Sequence, residues 1–199
     1  RSFAWKKEQV ESWWEDIKEN INSLSSEYFT GAMVYIEKEI DSGINECEVL
    51  DGQQRLTTTY IIYHLMRKIY EEIGGNINHD TKTEFDENIP NKIAFNRSGR
   101  HLKLELNSYD NGYFISLLEN SDETQTQKSH KNLKIAYNYL KKELTKYYHQ
   151  YSLEGFNKIG QSLSDNFVIM GINAGSRVSA YKLFEAMNDK GLKLSLCGL

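Results

Sequence analysis

Bulky apolar residues recur along this chain at two periods, and the switches between those periods predict its elements. Between residues 8 and 22, Val10, Trp13, Trp14, Ile17 and Ile21 form an i, i+3, i+4, i+7 stripe with charges opposite, which predicts an amphipathic helix. Met33–Ile36 and Cys47–Leu50 are short apolar runs on either side of a polar stretch containing Asp41-Ser42-Gly43. They predict two strands joined by a hairpin-like turn. Helical spacing returns with Leu56, Tyr60, Tyr63 and Ile69 and stops at Gly74-Gly75. Residues 76–91 are polar and read as a loop or an insertion.

Further along, Ile93–Phe95 and Leu102–Leu106 fit a strand pair around Arg97-Ser98-Gly99-Arg100, with Leu102, Leu104 and Leu106 alternating against Lys103 and Glu105. Tyr113, Phe114, Leu117 and Leu118 mark a short helix. Leu133, Ala136, Tyr137, Leu140, Leu144, Tyr147, Tyr148 and Tyr151 hold helical spacing over a long one, and Phe156, Ile159 and Leu163 begin another. Phe167–Ile172 reads as a strand buried on both faces. Arg177–Asn188 reads as a helix with Val178, Tyr181, Phe184 and Met187 turned inward. The predicted fold class is α+β: a small α/β unit over residues 1–75, then a mainly helical half over 76–199 that carries short strands.

Composition refines this picture in three places. Thirteen tyrosines among 199 residues predict a core whose edges carry hydroxyl tips. A net charge of −4 gives no global pull toward nucleic acid, yet residues 127–150 hold six lysines against the single acid Glu143. Lys131, Lys134 and Lys141 on that helix, with Arg97 and Arg100 on the arginine turn, are therefore the candidate DNA contacts, although a solvated face fits the same pattern. Cys47 and Cys197 lack metal-ligand spacing, nothing resembles a secretion signal, and no apolar run approaches the ~20 residues of a membrane span. A cytoplasmic protein is expected, and both ends of the chain read as cut from a longer one.

The chemistry concentrates between Val49 and Thr59. Asp51-Gly52 is a turn dipeptide set between the second strand and the second helix. A helix start presents unpaired N–H groups and the positive end of its dipole, which suit a phosphate. Arg55 adds a forked cation in the first turn, Thr57 and Thr58 add hydroxyls, and Asp51 would hold a metal ion or a water. The same residues fit a plainer role: Asp51 with Gln54 three positions on has the form of a capping box.

The run Asp51-Gly52-Gln53-Gln54-Arg55-Leu56-Thr57-Thr58 resembles the signature of the N-terminal domain of GmrSD-type modification-dependent restriction proteins, a bacterial phage-defence family related in fold to ParB N-terminal and sulfiredoxin domains. Arg1-Ser2-Phe3-Ala4-Trp5, with Glu8-Gln9-Val10 and Trp14, resembles the family's opening block. Leu183-Phe184-Glu185-Ala186-Met187-Asn188-Asp189-Lys190-Gly191, with Leu194-Ser195, resembles its closing block, and Phe29-Thr30-Gly31 is a shorter match. The blocks lie in family order and span the chain.

The resemblance implies a domain that binds a nucleoside triphosphate with Mg2+, and hydrolyses it in one version of the reading. It implies that DNA is cut by a nuclease domain or subunit lying beyond this chain. Asp51, Gln53, Gln54 and Arg55 would carry the chemistry, with Asp51 on the metal. Arg1, Trp5, Gly52, Arg55, Leu56, Thr57, Thr58, Asn188 and Gly191 would line the nucleotide. One departure stands out: the family pattern carries an Asp just after the equivalent of Leu194-Ser195, and none occurs near Gly198. Two other classes of function compete, a non-catalytic sensor of DNA or of a partner, and a ParB-like unit acting itself as a nuclease.

Overall fold

A computed structural model of the chain describes residues 1–21, 27–39, 45–73, 94–96, 100–121 and 124–189. The described elements run α1 (Lys7–Ile21), β1 (Tyr28–Glu39), β2 (Asn45–Asp51), α2 (Gln53–Ile73), β3 (Ala94–Asn96), β4 (Arg100–Leu102), α3 (Asn111–Glu119), α4 (Lys128–Gln161), a π-helical turn (Ser162–Asn166), β5 (Phe167–Asn173) and α5 (Arg177–Asp189). The class is α+β, as the periodicity predicts. Among the described residues no helix is long and apolar enough to cross a membrane.

The chain packs as two compact units. The larger comprises Ser2–Tyr28 and Gln54–Phe167 and buries the stripes of α1 to α4 in one continuous core. Trp14, Phe114, Phe156, Ile17, Ile61, Ile62, Leu65, Met66 and Leu133 are its largest fully buried side chains. Its tyrosines behave as the composition predicts. Burial pushes the hydroxyls of Tyr137 and Tyr147 upward in pKa, and burial with the nearby Glu143 pushes Tyr139 up to about 12.

The stripe predicted for α4 and the one following it prove to be two segments of one element, broken at Ser152 (φ 56°, ψ −161°). That backbone region is open almost only to glycine, so Ser152 is strained. Just beyond it, a Cβ on Gly155 would stand 2.6 Å from Tyr151 Cβ and 2.7 Å from Tyr147 Cε1. Only glycine lets the chain pass the two tyrosines there. Among the described residues the strand pair around the arginine turn is shifted towards the turn: β3 and β4 pair antiparallel over Ala94–Asn96 and Arg100–Leu102, and the second strand ends at Leu102 rather than Leu106. Leu102, Leu104 and Leu106 nevertheless stay half-buried against the core, while Lys103 and Glu105 are exposed.

The smaller unit comprises Arg1, Phe29–Gln53 and Val168–Leu199. Its sheet has the order β2-β1-β5, and β1 and β2 form the predicted antiparallel pair. Thr30 Oγ1 donates to the Val168 carbonyl, and the Ala174 N–H donates to the Tyr35 carbonyl; because these contacts ascend together, β5 runs parallel to β1. Val34, Ala180 and Phe184 are buried together, with Leu50, Ile172, Ala174 and Leu183 packed around them.

Two expectations fail in this unit. β5 is not buried on both faces: among the described strands it lies at the edge of its sheet, and Ile169 and Met170 are about half exposed. In α5, Phe184 does face inward, but Val178 and Tyr181 face solvent, because the packed face runs through Ala180, Leu183 and Phe184. Met187 belongs to α5, but its side chain is outside the described set.

Candidate functional site

The strand-turn-helix arrangement around Asp51 forms as read from the sequence. In the β1–β2 ladder Tyr35 pairs with Val49 while Val34 pairs with Asp51, so Leu50 is the extra residue of a bulge. A bulge bends its strand and re-aims the residue that follows. Here that residue is the half-buried Asp51, the last of β2. Gly52 then turns the chain with φ +90°, and a Cβ on it would lie 3.2 Å from Met33 Cγ. Backbone conformation and lack of room both require glycine there. Gln53 opens α2 and sends its side-chain amide back to the Val49 carbonyl, while its Oε1 is buried and meets no donor among the described residues.

In the larger unit Gln54 does something the sequence did not announce. Its Oε1 accepts the N–H groups of Ala4 (2.7 Å) and Trp5 (3.2 Å), and its Nε2 donates to the Ser2 carbonyl (3.2 Å). Both ends of the amide are spent on the opening block, so Gln54 does not play the capping-box role. Two of the motif blocks, distant in sequence, thus meet at α2's start. The Trp5 ring lies 6.2 Å from that of Trp13, and Trp13 Nε1 donates to Thr59 Oγ1 (3.2 Å).

The other candidate residues are placed as follows. Arg55 and Leu56 are half-buried. Thr57 and Thr58 are buried, and the Thr58 hydroxyl donates to the Gln54 carbonyl within its own helix. Arg1 is exposed. Asn188 lies in α5, its side chain outside the described set, and Gly191 and Arg97 lie outside the described residues. Arg100 opens β4. Lys131 and Lys134 are exposed on α4, while Lys141 is half-buried. Burial first, and then repulsion from Lys141, lower the pKa of Lys68 on α2, whose ammonium donates to the Leu118 carbonyl at the end of α3. Among the described residues no group of three His, Cys, Asp or Glu side chains gathers to hold a metal.

Sequence reasoning missed a polar knot at the start of α3. Asp110 is fully buried, its carboxylate taking the Phe3 N–H (3.1 Å), Asn107 Nδ2 (3.0 Å) and the Ser129 hydroxyl (2.6 Å). Its place before a short apolar helix reads as an ordinary cap, so nothing in the sequence marks it out. His130, in the same knot, takes the Thr126 N–H on Nδ1 and meets the Tyr109 carbonyl on Nε2, with its ring stacked on Tyr113. Although Ser129, His130 and Asp110 are the residue types of a hydrolytic triad, the arrangement is not one. The serine proton goes to the carboxylate, both ring nitrogens are committed, and all three residues are buried.

Set against known families, residues 1–196 match the model described as GmrSD restriction endonuclease, N-terminal domain. Among curated proteins no match is found.

Proposed function

The chain belongs to the family of GmrSD restriction endonuclease N-terminal domains, a restriction and phage-defence family, and from that premise we propose that it binds a nucleoside triphosphate at the start of α2. The observation that carries the reading is Gln54 fastening the opening block to the first turn of that helix. A glutamine serving only its helix would not be spent on residues some fifty positions away. The N–H groups following Gln53 and the guanidinium of Arg55 suit phosphate oxygens. The Thr58 hydroxyl donates to the Gln54 carbonyl within α2, which leaves its oxygen as an acceptor only.

Mg2+ fits the residues present. Asp51 and the orphaned Gln53 Oε1 are hard oxygen donors, of the kind Mg2+ takes alongside phosphate oxygens and water. The ion would neutralise charge on the phosphates, and Asp51 would orient a water for hydrolysis, since phosphoryl transfer depends mainly on positioning and charge. In the cytoplasm, as part of a larger protein, this domain would pass its nucleotide state to a nuclease domain or subunit that cuts DNA.

Titration with a panel of triphosphates, with and without Mg2+, tests the reading. Arg55→Ala should weaken binding about 30-fold or more while the circular dichroism is retained, the loss of a charge-assisted bidentate contact. Asp51→Asn should keep binding and lose hydrolysis. Normal affinity in Arg55→Ala would remove the phosphate site from this turn.

A second reading, a DNA-contacting surface, is favoured by the exposure of Lys131 and Lys134 on α4. It requires a DNA affinity that falls steeply with salt, and a slope that becomes shallower when Lys131, Lys134 and Lys141 are replaced by glutamine.

A further inference from the structure

Residues 2–5 form an arm with almost no regular structure, yet three helices hold its backbone. Gln54 of α2 accepts the Ala4 and Trp5 N–H groups and donates to the Ser2 carbonyl. Asn132 of α4 reaches the Ala4 carbonyl at 3.5 Å. The Phe3 N–H goes to Asp110, at the N-cap of α3, and Asn107 Nδ2 lies 3.4 Å from Ser2 Oγ.

Asp110 is the unusual member. An aspartate in the N-cap position ordinarily accepts an N–H from the first turn of its own helix. This one makes no side-chain cap bond, and Asn107 covers the neighbouring backbone instead, its Oδ1 taking the N–H groups of Tyr109 and Asp110. The carboxylate is instead turned into the interior, towards Phe3, Asn107 and Ser129. A buried carboxylate is costly unless donors surround it. Here one donor comes from Asn107 in the turn before α3, one from Ser129 on α4, and the third from the arm.

We infer that Asp110 is a positioning residue for the site at the start of α2: by holding Phe3 it seats residues 2–5 on Gln54, and it sets ligand affinity there without touching the ligand. The inference rests on the triphosphate reading of that site. Gln54 and Asp110 grip alternate points of one short segment, so release at Phe3 leaves the arm to Gln54 and the two longer contacts from Asn132 and Asn107.

The test compares the parent chain with Asp110→Asn and Asp110→Ala, using Mg2+ with inorganic tripolyphosphate as a probe independent of the base. Amide hydrogen exchange of residues 3–5 is followed alongside. Asp110→Asn keeps the shape and one acceptor oxygen, and so keeps the test usable if the alanine variant fails to fold. The expected order in both readouts is parent, then Asn, then Ala. Exchange of the arm should rise and affinity should fall, by about tenfold in Ala and severalfold in Asn, while amides in the middle of α2 and α4 keep their protection. A parent that binds the probe with an affinity indifferent to both variants overturns the inference, as does an arm that stays protected in them. A parent that does not bind tripolyphosphate or any triphosphate overturns the nucleotide reading itself, a distinct result.

Discussion

The two units of this chain spend their apolar residues in opposite ways. The helical unit closes four helices over a core holding two tryptophans, several tyrosines and buried leucines and isoleucines from every one of those helices. Among the described residues the sheet unit's cluster centres on Val34, Ala180 and Phe184, while Phe29, Ile169, Met170, Val178 and Tyr181 stand substantially in water. Buried area grows with size, and a unit so thinly filled gains little from its own interior. Among the described residues apolar burial is therefore concentrated in the helices, and the strand-and-turn residues around Asp51 lie in the more thinly packed part. Local opening in such a part costs less than global unfolding.

The contrast breaks most sharply at Trp14, which is 1% exposed and packs edge-on against Tyr147. Trp14→Ala should cost about 3–5 kcal/mol and lower the main thermal transition. Val34→Ala, equally buried in the sheet unit, should leave that transition nearly in place, and calorimetry of both variants checks the pair. Next in size is Gly52→Ala. A side chain at φ +90° against Met33 should cost about 1–3 kcal/mol, read as faster exchange in β1 and β2 while α4 remains protected.

The smallest effect is electrostatic. Hydrogen bonds and charge from Arg177, with help from Lys38, hold Glu48 below the usual carboxylate range. A pKa depressed by folding contributes stability above the unfolded value and loses it as pH falls through the folded one. Because both cations, Arg177 and Lys38, are mostly in water, Glu48→Gln should cost well under ~1 kcal/mol at neutral pH, and the difference from the parent should vanish in acid or high salt. A denaturation series across pH checks the sign.

The same contrast explains what could be read from the sequence. Stripes such as Val10-Trp13-Trp14-Ile17 are legible because a helix packed into a thick core needs a broad apolar face, and that face sets its phase. The run Phe167–Ile172 misleads because an apolar strand does not state how many neighbours it will have, and among the described strands this one lies at an edge. In α5 a small residue, Ala180, occupies the inward position and larger ones face out, so ranking residues by bulk selects the wrong side. At the site, Gly52 and the turn are visible as local chemistry. The partners of Gln54 and Asp110 are not, because each depends on a chain segment about fifty or a hundred residues away.

The break at Ser152 has a consequence that is a matter of length. An uninterrupted helix over Lys128–Gln161 would be a rod of roughly 50 Å at 1.5 Å per residue. The radius of gyration expected of a unit the size of the helical one is only about 14–15 Å, so the last turns of such a rod would project into solvent and carry Phe156 and Ile159 with them. One strained residue, followed by a glycine that can slip past two tyrosine rings, shortens the rod to roughly 36 Å and returns both side chains to the interior, where each is fully enclosed.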